Sequence, residues 1–499
     1  MALTYLAQAL GNVLMPLNLG VLIISTFAGL IMGMLPGLSA TMAVALLTGL
    51  TYSLSPTSAI ISLIGVYVGS ISGGCQAAVL LNIPGTPASA ATALDGFPLA
   101  NQGKGGLAIF LCTASSCLGT LVSVLCVLTL TPLLTKLSLQ FGSWEFFLLS
   151  IFGVIICGNL TSKGSAVKGW ISGVIGLLIA QVGLDQIDAF PRFSYGNVNI
   201  MAGLALIPIM IGLFGFPEII KAFKKTEEHI LTYSPYKFKE GLAILKKHIV
   251  AIIRSSFIGV GVGIIPGVGE DVGGWLSYWA TKSNSKHPEN FGKGEYAGII
   301  SAESGNNSCI GGAIIPILSL AVPGSAPAAV LLAAFMMHGY RPGPLLMNES
   351  PEFLYQVVVD LALAAIVMFL LALVIAKFSV RILGVKKEIL MPIIYVLCVV
   401  GSFVINHITF DVKVMFFFGL AGFFLAWAEY PAAPFLLGVI LGSMTDSNLR
   451  RALTISNGSF MPMFTRPISL IFIFAIICLI LSQFGVFRKL KKKMSAKAA

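Results

Sequence analysis

Apolar residues in this chain form long runs with few polar interruptions. A helix needs roughly 20 such residues to cross about 30 Å of hydrocarbon. We expect on the order of ten full spans together with several half-length pieces. The runs that predict membrane helices lie at residues 17–35, 106–133, 146–160, 166–182, 201–220, 249–265, 353–378, 389–408, 414–428 and 468–484.

Pro-Gly pairs interrupt the apolar sequence at residues 36–37, 84–85, 266–267 and 323–324. The first reads GMLPGLSATMA and the third GIIPGVGEDVG, while the second and fourth end the segments GGCQAAVLLNIPG and GGAIIPILSLAVPG. A turn then follows in each series, DGFP in one and HGYRPGP in the other. Three interruptions in one order, twice, predict an internal duplication with roughly 230 residues per copy, as in many secondary transporters.

Composition excludes a soluble globular protein, because 57% of residues are hydrophobic and only 10% are charged. The net charge of +11 is concentrated in a central loop and in the C-terminal RKLKKKMSAK, both beside predicted spans, so it indicates cytoplasmic segments rather than nucleic-acid binding. No Lys or Arg precedes Lys104, which predicts an N-terminus outside the cytoplasm. The eight cysteines show no CxxC pairing and imply neither a disulfide nor a metal site.

These signals divide the chain into four predicted segments. The two repeats should be inverted, because the first enters the membrane from outside and the second from the basic loop. The segments are a first membrane repeat at 1–220, a basic cytoplasmic linker at 221–248, a second membrane repeat at 249–486 and a basic cytoplasmic tail at 487–499.

The Pro-Gly pairs at 84–85 and 323–324 predict the tips of re-entrant hairpins. About nine residues lie on each side of Pro84-Gly85, and at 1.5 Å per residue such an arm spans roughly half of the hydrocarbon. The second arms start at Thr86 and Ser325, so their free N–H groups and positive dipole ends predict a seat for an anion. A simple proline kink with back-bonded hydroxyls is the alternative, which the repetition disfavours. The substrate-binding candidates are Ser39, Asn82, Thr86, Ser89, Asn306, Asn307 and Ser325.

The pairs at 36–37 and 266–267 predict discontinuous helices whose freed carbonyl groups hold a coupling cation. Sodium is the favoured ion, because hydroxyls and amides cluster at both breaks whereas carboxylates crowd only the second. A proton held by Glu303 or Asp271 is the alternative. Beyond this cation no metal or cofactor is expected. The cation-coupling candidates are Pro36, Gly37, Thr41, Gly267, Asp271 and Glu303.

Several stretches resemble the large membrane subunit of tripartite tricarboxylate transporters. They include YVGSISGGCQAAVLLNIPGTPASAATALDGFPLA and, above all, SKHPENFGKGEYAGIISAESGNNSCIGGAIIPILSLAVPGSAPAAVLLAAFMMHGYRPGP. The likeness covers most of the chain. It implies a bacterial inner-membrane transporter that works with a small membrane subunit and a periplasmic solute-binding protein, on a sodium or proton gradient. Where we expect Ala-Pro-Glu ahead of the two asparagines, this chain has Ser301-Ala302-Glu303.

We therefore predict an all-α polytopic membrane protein with two inverted repeats, discontinuous helices and re-entrant Pro-Gly hairpins, of the elevator type. Its expected function is uptake of a di- or tricarboxylate such as citrate, with the N-terminus periplasmic and the C-terminus cytoplasmic. An anion channel on the same hairpins is the alternative. An enzyme is disfavoured, because neither HExxH nor GxSxG occurs. The carboxylate, the stoichiometry and the oligomeric state stay open, with a homodimer among the possibilities.

Overall fold

A computed structural model describes residues 2–35, 38–162, 165–185, 187–222, 234–385 and 387–483. Pro36 and Gly37, residues 223–233 of the predicted basic linker, and the predicted tail at 487–499 lie outside the described residues.

The described chain is almost wholly helical, as the long apolar runs predict. Short 3-10 segments occur at Pro87–Ser89, Pro288–Asn290 and Met461–Phe464, and π-helical segments at Ala100–Lys104 and Ile211–Gly215. The α-helices are α1 (Ala2–Leu14), α2 (Pro16–Met34), α3 (Ala40–Leu50), α4 (Pro56–Leu81), α5 (Ala90–Leu99), α6 (Gly105–Ser138), α7 (Ser143–Thr161), α8 (Ala166–Ile179), α9 (Val198–Met201), α10 (Leu206–Met210), α11 (Phe216–Ala222), α12 (Phe238–Lys247), α13 (Ile249–Ile264), α14 (Gly269–Ser283), α15 (Tyr296–Leu320), α16 (Ala326–Met337), α17 (Leu346–Glu349), α18 (Pro351–Ala376), α19 (Ser379–Leu383), α20 (Lys387–Val404), α21 (Thr409–Trp427), α22 (Ala432–Ile455) and α23 (Pro467–Gln483).

Six helices among the described residues are long and apolar enough to cross a membrane, or seven if α12 and α13, bent by 67° at their junction, count as one span. The all-α polytopic architecture is thus confirmed, with fewer full-length spans than expected. Several apolar runs are divided or shortened. The run at 201–220, for example, is interrupted at residues 202–205 and then continues through α10, the π-helical segment Ile211–Gly215 and α11.

The chain forms two compact units. Unit 1 comprises Met1–Lys136 and Ile207–Phe423, and unit 2 comprises Leu137–Leu206 and Phe424–Ala499. Each unit therefore contains residues from both predicted repeats. The boundary predicted at residue 220 concerns the duplication, and it stays a prediction.

In unit 1, α2 packs on α4 and α13 packs on α15 through glycines that let two backbones touch. The glycine contacts have the same spacing along both pairs of helices. Helix α2 therefore corresponds to α13, and α4 corresponds to α15. Measured from the Cβ that an alanine would add, the distances are 2.5 Å from Gly29 to Val66 O, 2.0 Å from Gly33 to Ser70 O, 2.1 Å from Gly259 to Gly305 O and 2.6 Å from Gly263 to Cys309 O.

The predicted half-length arm before each hairpin tip is wrong. Residues 75–81 are the last part of the 26-residue helix α4, and α15 is equally continuous with 25 residues. The Gly-Gly pair in α4 does not break the helix because the backbone of α2 packs directly on it: a Cβ at Gly73 would lie 2.3 Å from Leu30 O.

The turn after each of these long helices has the same backbone geometry. Asn82 and Ala321 end α4 and α15 in the left-handed conformation, with φ of 56° and 57°. The chain then folds back, since Gly85 N donates to Gly74 O and Gly324 N donates to Ala313 O, both at 3.4 Å. The arms that follow are short, as predicted: α5 has 10 residues and α16 has 12.

In unit 2, α22 packs against α7 and α8, and α23 packs against α7. A small antiparallel ribbon pairs β1 (Gly183–Leu184) with β2 (Pro191–Arg192). Asp185, just after β1, is the centre of an ion cluster: it accepts from Arg192 at 2.8 Å and also pairs with Arg450. Arg192 also bonds Asp446 at 2.9 Å, so the cluster ties the ribbon to α22.

Candidate functional site

The candidate site lies in unit 1, where the short helices α5 and α16 begin against α4, α14 and α15. Ser325 heads α16 as its N-cap, and its Oγ accepts from Ala328 N at 3.3 Å. The same hydroxyl donates to Glu270 Oε1 at 2.9 Å. Tyr67 from α4 also donates to Glu270 Oε1, and its hydroxyl lies 2.9 Å from Ser325 Oγ. Two hydroxyls and one carboxylate, all buried, therefore meet at the start of α16.

The start of the other short arm is built from hydroxyls and backbone. Thr86 Oγ1 lies 3.4 Å from Ser89 Oγ, and both side chains are buried. Gly74 of α4 leaves room for them, because an added Cβ there would lie 2.3 Å from Ser89 Oγ and 2.6 Å from Thr86 Oγ1. Asn306 of α15 donates to Ala88 O at 3.1 Å. A side chain of α15 thus holds the short arm that follows α4.

Glu303 is the centre of a fully buried polar cluster, about one helical turn before Asn306 on α15. Its Oε1 accepts from Thr92 of α5, and its Oε2 accepts from Ser116 of α6 at 2.8 Å. Asn307 donates to Ser116 Oγ at 2.9 Å and accepts from Ser72 of α4. Oxygen atoms of four helices therefore lie in one cluster around the Glu303 carboxylate. Oxygen is the type of ligand that a hard cation prefers.

Asp95, in the middle of α5, has a structural role. Its Oδ1 accepts from the backbone N–H groups of Gly292, Gly294 and Glu295 at 2.8 to 2.9 Å, and its Oδ2 accepts from Tyr278 at 2.9 Å. Gly292 and Gly294 can form this cradle because both adopt positive φ, 89° and 102°. The FGKG sequence is thus a carboxylate clamp that fixes α5 to the start of α15.

Five of the predicted binding residues lie in the contacts described above, in separate groups. Thr86 lies beside Ser89, Asn307 beside Glu303, and Ser325 beside Glu270. Asn306 reaches Ala88 at the start of the first arm. Their roles in binding stay predictions.

Other candidates lie apart from these contacts. Ser39 caps α3 by accepting from Met42 N at 3.1 Å, and Thr41 is buried beside it. Asn82 is exposed at the end of α4. Gly267 adopts φ of 73° at the break before α14. Asp271 has an exposed side chain, whereas its neighbour Glu270 is 3% exposed and reaches Ser325.

Sequence reasoning did not identify Tyr67, Ser72 and Ser116. It also selected Asp271, whereas in the structure its neighbour Glu270 contacts the start of α16. One signal was available for the first two. Tyr67 and Ser72 lie within the same apolar segment as the Gly-Gly pair, where polar atoms need partners, and both are fully buried.

The sequence of the chain is similar to those of known proteins. The sequence model of the family described as "Tripartite tricarboxylate transporter TctA family" matches residues 19–437. An uncharacterized 52.8 kDa protein in the TAR-I ttuC′ 3′ region of Agrobacterium vitis is 32% identical over 460 residues, 91% of each chain. An uncharacterized protein in the TAR-II ttuC′ 3′ region of the same organism is 30% identical over 222 residues, 44% of this chain and 92% of that relative. No solved structure shows a significant match.

Proposed function

The chain belongs to the tripartite tricarboxylate transporter TctA family, and from this membership we propose that it is the large permease subunit for uptake of a di- or tricarboxylate. Membership makes it a multi-pass membrane transporter rather than an enzyme. In the proposal it lies in the bacterial inner membrane and works with a small membrane subunit and a periplasmic solute-binding protein.

The observation that carries the proposal is the pair of hydroxyl-headed short arms. Thr86 and Ser325 are buried, and each is the N-cap of a helical segment, the 3-10 turn Pro87–Ser89 and α16. Helix starts of this kind attract anions through N–H groups and the helix dipole. Two such starts in one unit suit a substrate that carries two or three carboxylates. A di- or tricarboxylate bridging the two arms is the arrangement we propose.

The coupling ion is assigned to the cluster around Glu303. Sodium takes about five or six oxygen ligands, and the cluster offers a carboxylate, an amide and hydroxyls. These groups come from Glu303, Asn307, Ser116, Thr92 and Ser72. We propose sodium as the driving ion, with a proton on Glu303 as the alternative.

Two inverted repeats and an elevator-type movement are further parts of the proposal. The matched glycine contacts of α2 with α4 and of α13 with α15, and the matched turns at Gly85 and Gly324, support the duplication. The N-terminus is proposed to be periplasmic, and Lys237 and the C-terminus cytoplasmic. Labelling single cysteines at these points in a cysteine-free background checks the topology; if both ends label from one side, the assignment is wrong.

Uptake into proteoliposomes tests the function. Wild-type protein, reconstituted with the small membrane subunit and supplied with the solute-binding protein, should accumulate labelled citrate or succinate against a gradient, and should exchange labelled for unlabelled substrate in counterflow, which a channel does not do. Thr86→Val and Ser325→Val should each abolish uptake while the protein still folds. Thr48→Val is the matched control, because the buried Thr48 hydroxyl donates only to Val44 O within its own helix at 2.8 Å. Full uptake with both Thr86 and Ser325 replaced would contradict the proposed site.

A further inference from the structure

Glu270 places a carboxylate at the start of α16 in the structure. The side chain is 3% exposed, and its Oε1 accepts hydrogen bonds from both Tyr67 and Ser325. Ser325 Oγ in turn accepts from Ala328 N, within the first turn of α16. The protein therefore already holds one of its own carboxylates where the proposed function places a carboxylate of the substrate.

Structural support alone does not explain a charged side chain at this position. A buried carboxylate is costly unless a cation or several donors compensate it. The ion pairs recorded among the described residues do not include Glu270. A glutamine would accept the same two hydroxyl hydrogen bonds without a buried charge. The place of Glu270 in the first turn of α14 favours a negative charge through the helix dipole, but it gives no reason for the carboxylate to occupy the hydroxyls of Tyr67 and Ser325.

Among the described residues, no carboxylate accepts a hydrogen bond from Thr86 or Ser89 at the start of the other short arm. The sequences PGLSAT and PGVGED align Ala40 with Glu270, in agreement with the matched glycine contacts of α2 and α13. Near Thr86 the recorded partner is the Ser89 hydroxyl. The tethered carboxylate is thus a difference between two otherwise matched sites. Gly269 brings it into place, since an added Cβ there would lie 2.6 Å from Ser325 Cβ.

We propose that Glu270 is a tethered competitor of the substrate. In the substrate-free protein its carboxylate occupies the Tyr67 and Ser325 hydroxyls, and a carboxylate of the substrate displaces it from them. This inference rests on the proposed function. Displacement lowers the apparent affinity, because only molecules in which Glu270 has left the hydroxyls can bind. When substrate is absent, the Glu270 carboxylate also provides a hydrogen-bond acceptor for the Tyr67 and Ser325 hydroxyls at the start of α16.

Equilibrium binding of citrate and of succinate to the purified full-length protein, by titration calorimetry, tests the inference. We expect Glu270→Ala to bind at least one of them about tenfold more tightly, because it removes the competitor outright, as follows if the hydroxyls are vacant in roughly a tenth of wild-type molecules. Glu270→Gln is the second variant, and its gain should be smaller, because the amide oxygen still accepts from the hydroxyls but binds them more weakly than a carboxylate does. Asp360→Asn is the matched control: it also neutralises a fully buried carboxylate, on α18, where the partner is Gln356. Its affinity should equal that of wild type.

The outcomes separate the inference from the function on which it rests. Equal or weaker binding by folded Glu270→Gln and Glu270→Ala, with wild type binding normally, overturns the competitor role and leaves the proposed function standing. Tighter binding by Asp360→Asn as well would show a general effect of charge, and would also overturn it. If neither wild type nor variants bind either carboxylate, the proposed function fails and the inference fails with it.

Discussion

Tyr67 on α4 and Asn306 on α15 occupy matched positions, and each side chain reaches the short arm of the opposite half. The match follows from the glycine contacts, which pair Val66 with Gly305, one residue before each. Tyr67 bonds to Ser325 at the start of α16, and Asn306 donates to Ala88 O at the start of α5. Each long helix therefore positions the arm that follows the other one. A substitution at either residue should therefore affect both matched halves of unit 1.

The ion assignment predicts different effects for two neighbours in one cluster. Asn307→Ala should raise the sodium concentration for half-maximal uptake roughly tenfold, because the loss of an oriented polar neighbour typically weakens cation binding by that order. Glu303→Gln should keep sodium-dependent uptake measurable, since the amide oxygen can still face the cation. Initial rates in sealed vesicles over a range of sodium concentrations check both. Uptake driven by a pH gradient without sodium, and uncoupled by Glu303→Gln, would instead assign the coupling to a proton.

The packing of α13 on α15 predicts a sharp contrast between two glycines on one helix. Gly263→Ala should destabilise the protein by about 1–3 kcal/mol, because the added Cβ would lie 2.6 Å from Cys309 O and backbone must move. Gly261→Ala should be nearly neutral, since nothing lies within 4 Å of its added Cβ. Thermal unfolding of the purified variants measures the difference. Equal melting temperatures would show that the two helices do not pack as closely as described.

The Asp95 clamp predicts a loss of stability that is separate from transport chemistry. Asp95→Asn should lower stability by about 1–3 kcal/mol, because three backbone N–H groups lose a charged acceptor. Gly294→Ala should have the same sign, since its φ of 102° suits glycine and an added Cβ would lie 2.9 Å from Gln102 Nε2. Thermal unfolding and the substrate affinity of the folded fraction test this. An unchanged melting temperature for both variants would contradict the clamp.

The ion cluster of unit 2 predicts a pH dependence of the ribbon that it holds. The N–H of Ile187, together with Arg450 and Arg192, lowers the pKa of Asp185. A carboxyl whose pKa is lowered by folding stabilises the folded form above its unfolded pKa of about 3.9, and this stabilisation is lost as pH falls through the lowered folded value. Hydrogen exchange at residues 187–192, corrected for the intrinsic effect of pH, should therefore accelerate below about pH 4. In Asp185→Asn the exchange should be faster at neutral pH and lack this transition.

The positions of helices and breaks were largely predictable from sequence. Long apolar runs have one stable solution in hydrocarbon, so the runs at 249–265 and 353–378 became α13 and α18 within a few residues. Proline and glycine end helices by local geometry, which located the breaks before α14 and α16. The Gly-Gly pair in α4 did not mark a helix break, although a short arm was predicted to follow it. Glycine serves close packing as well as helix breaking, and only the neighbouring helix decides between the two.

The site itself was predictable only in part. Ser325 and Thr86 stand at breaks, so their position in the sequence singled them out, and the structure places both as N-caps. Glu270 and Asp271 are adjacent, and successive helical residues point about 100° apart, so the choice between them requires knowing what packs on each face. Ser116 lies on α6, far from any break, and it enters the cluster through tertiary packing alone.

The clamp on Asp95 also bears on how the chain is assembled during synthesis. Its backbone donors follow it by 197 to 200 residues, so they do not exist when α5 first enters the bilayer. A carboxylate without partners is poorly tolerated in hydrocarbon, so we expect α5 to take its final position only after the FGKG loop has been synthesised. The last step in seating α5 is therefore timed by translation of the second half, and a chain truncated before residue 292 should leave this helix unanchored.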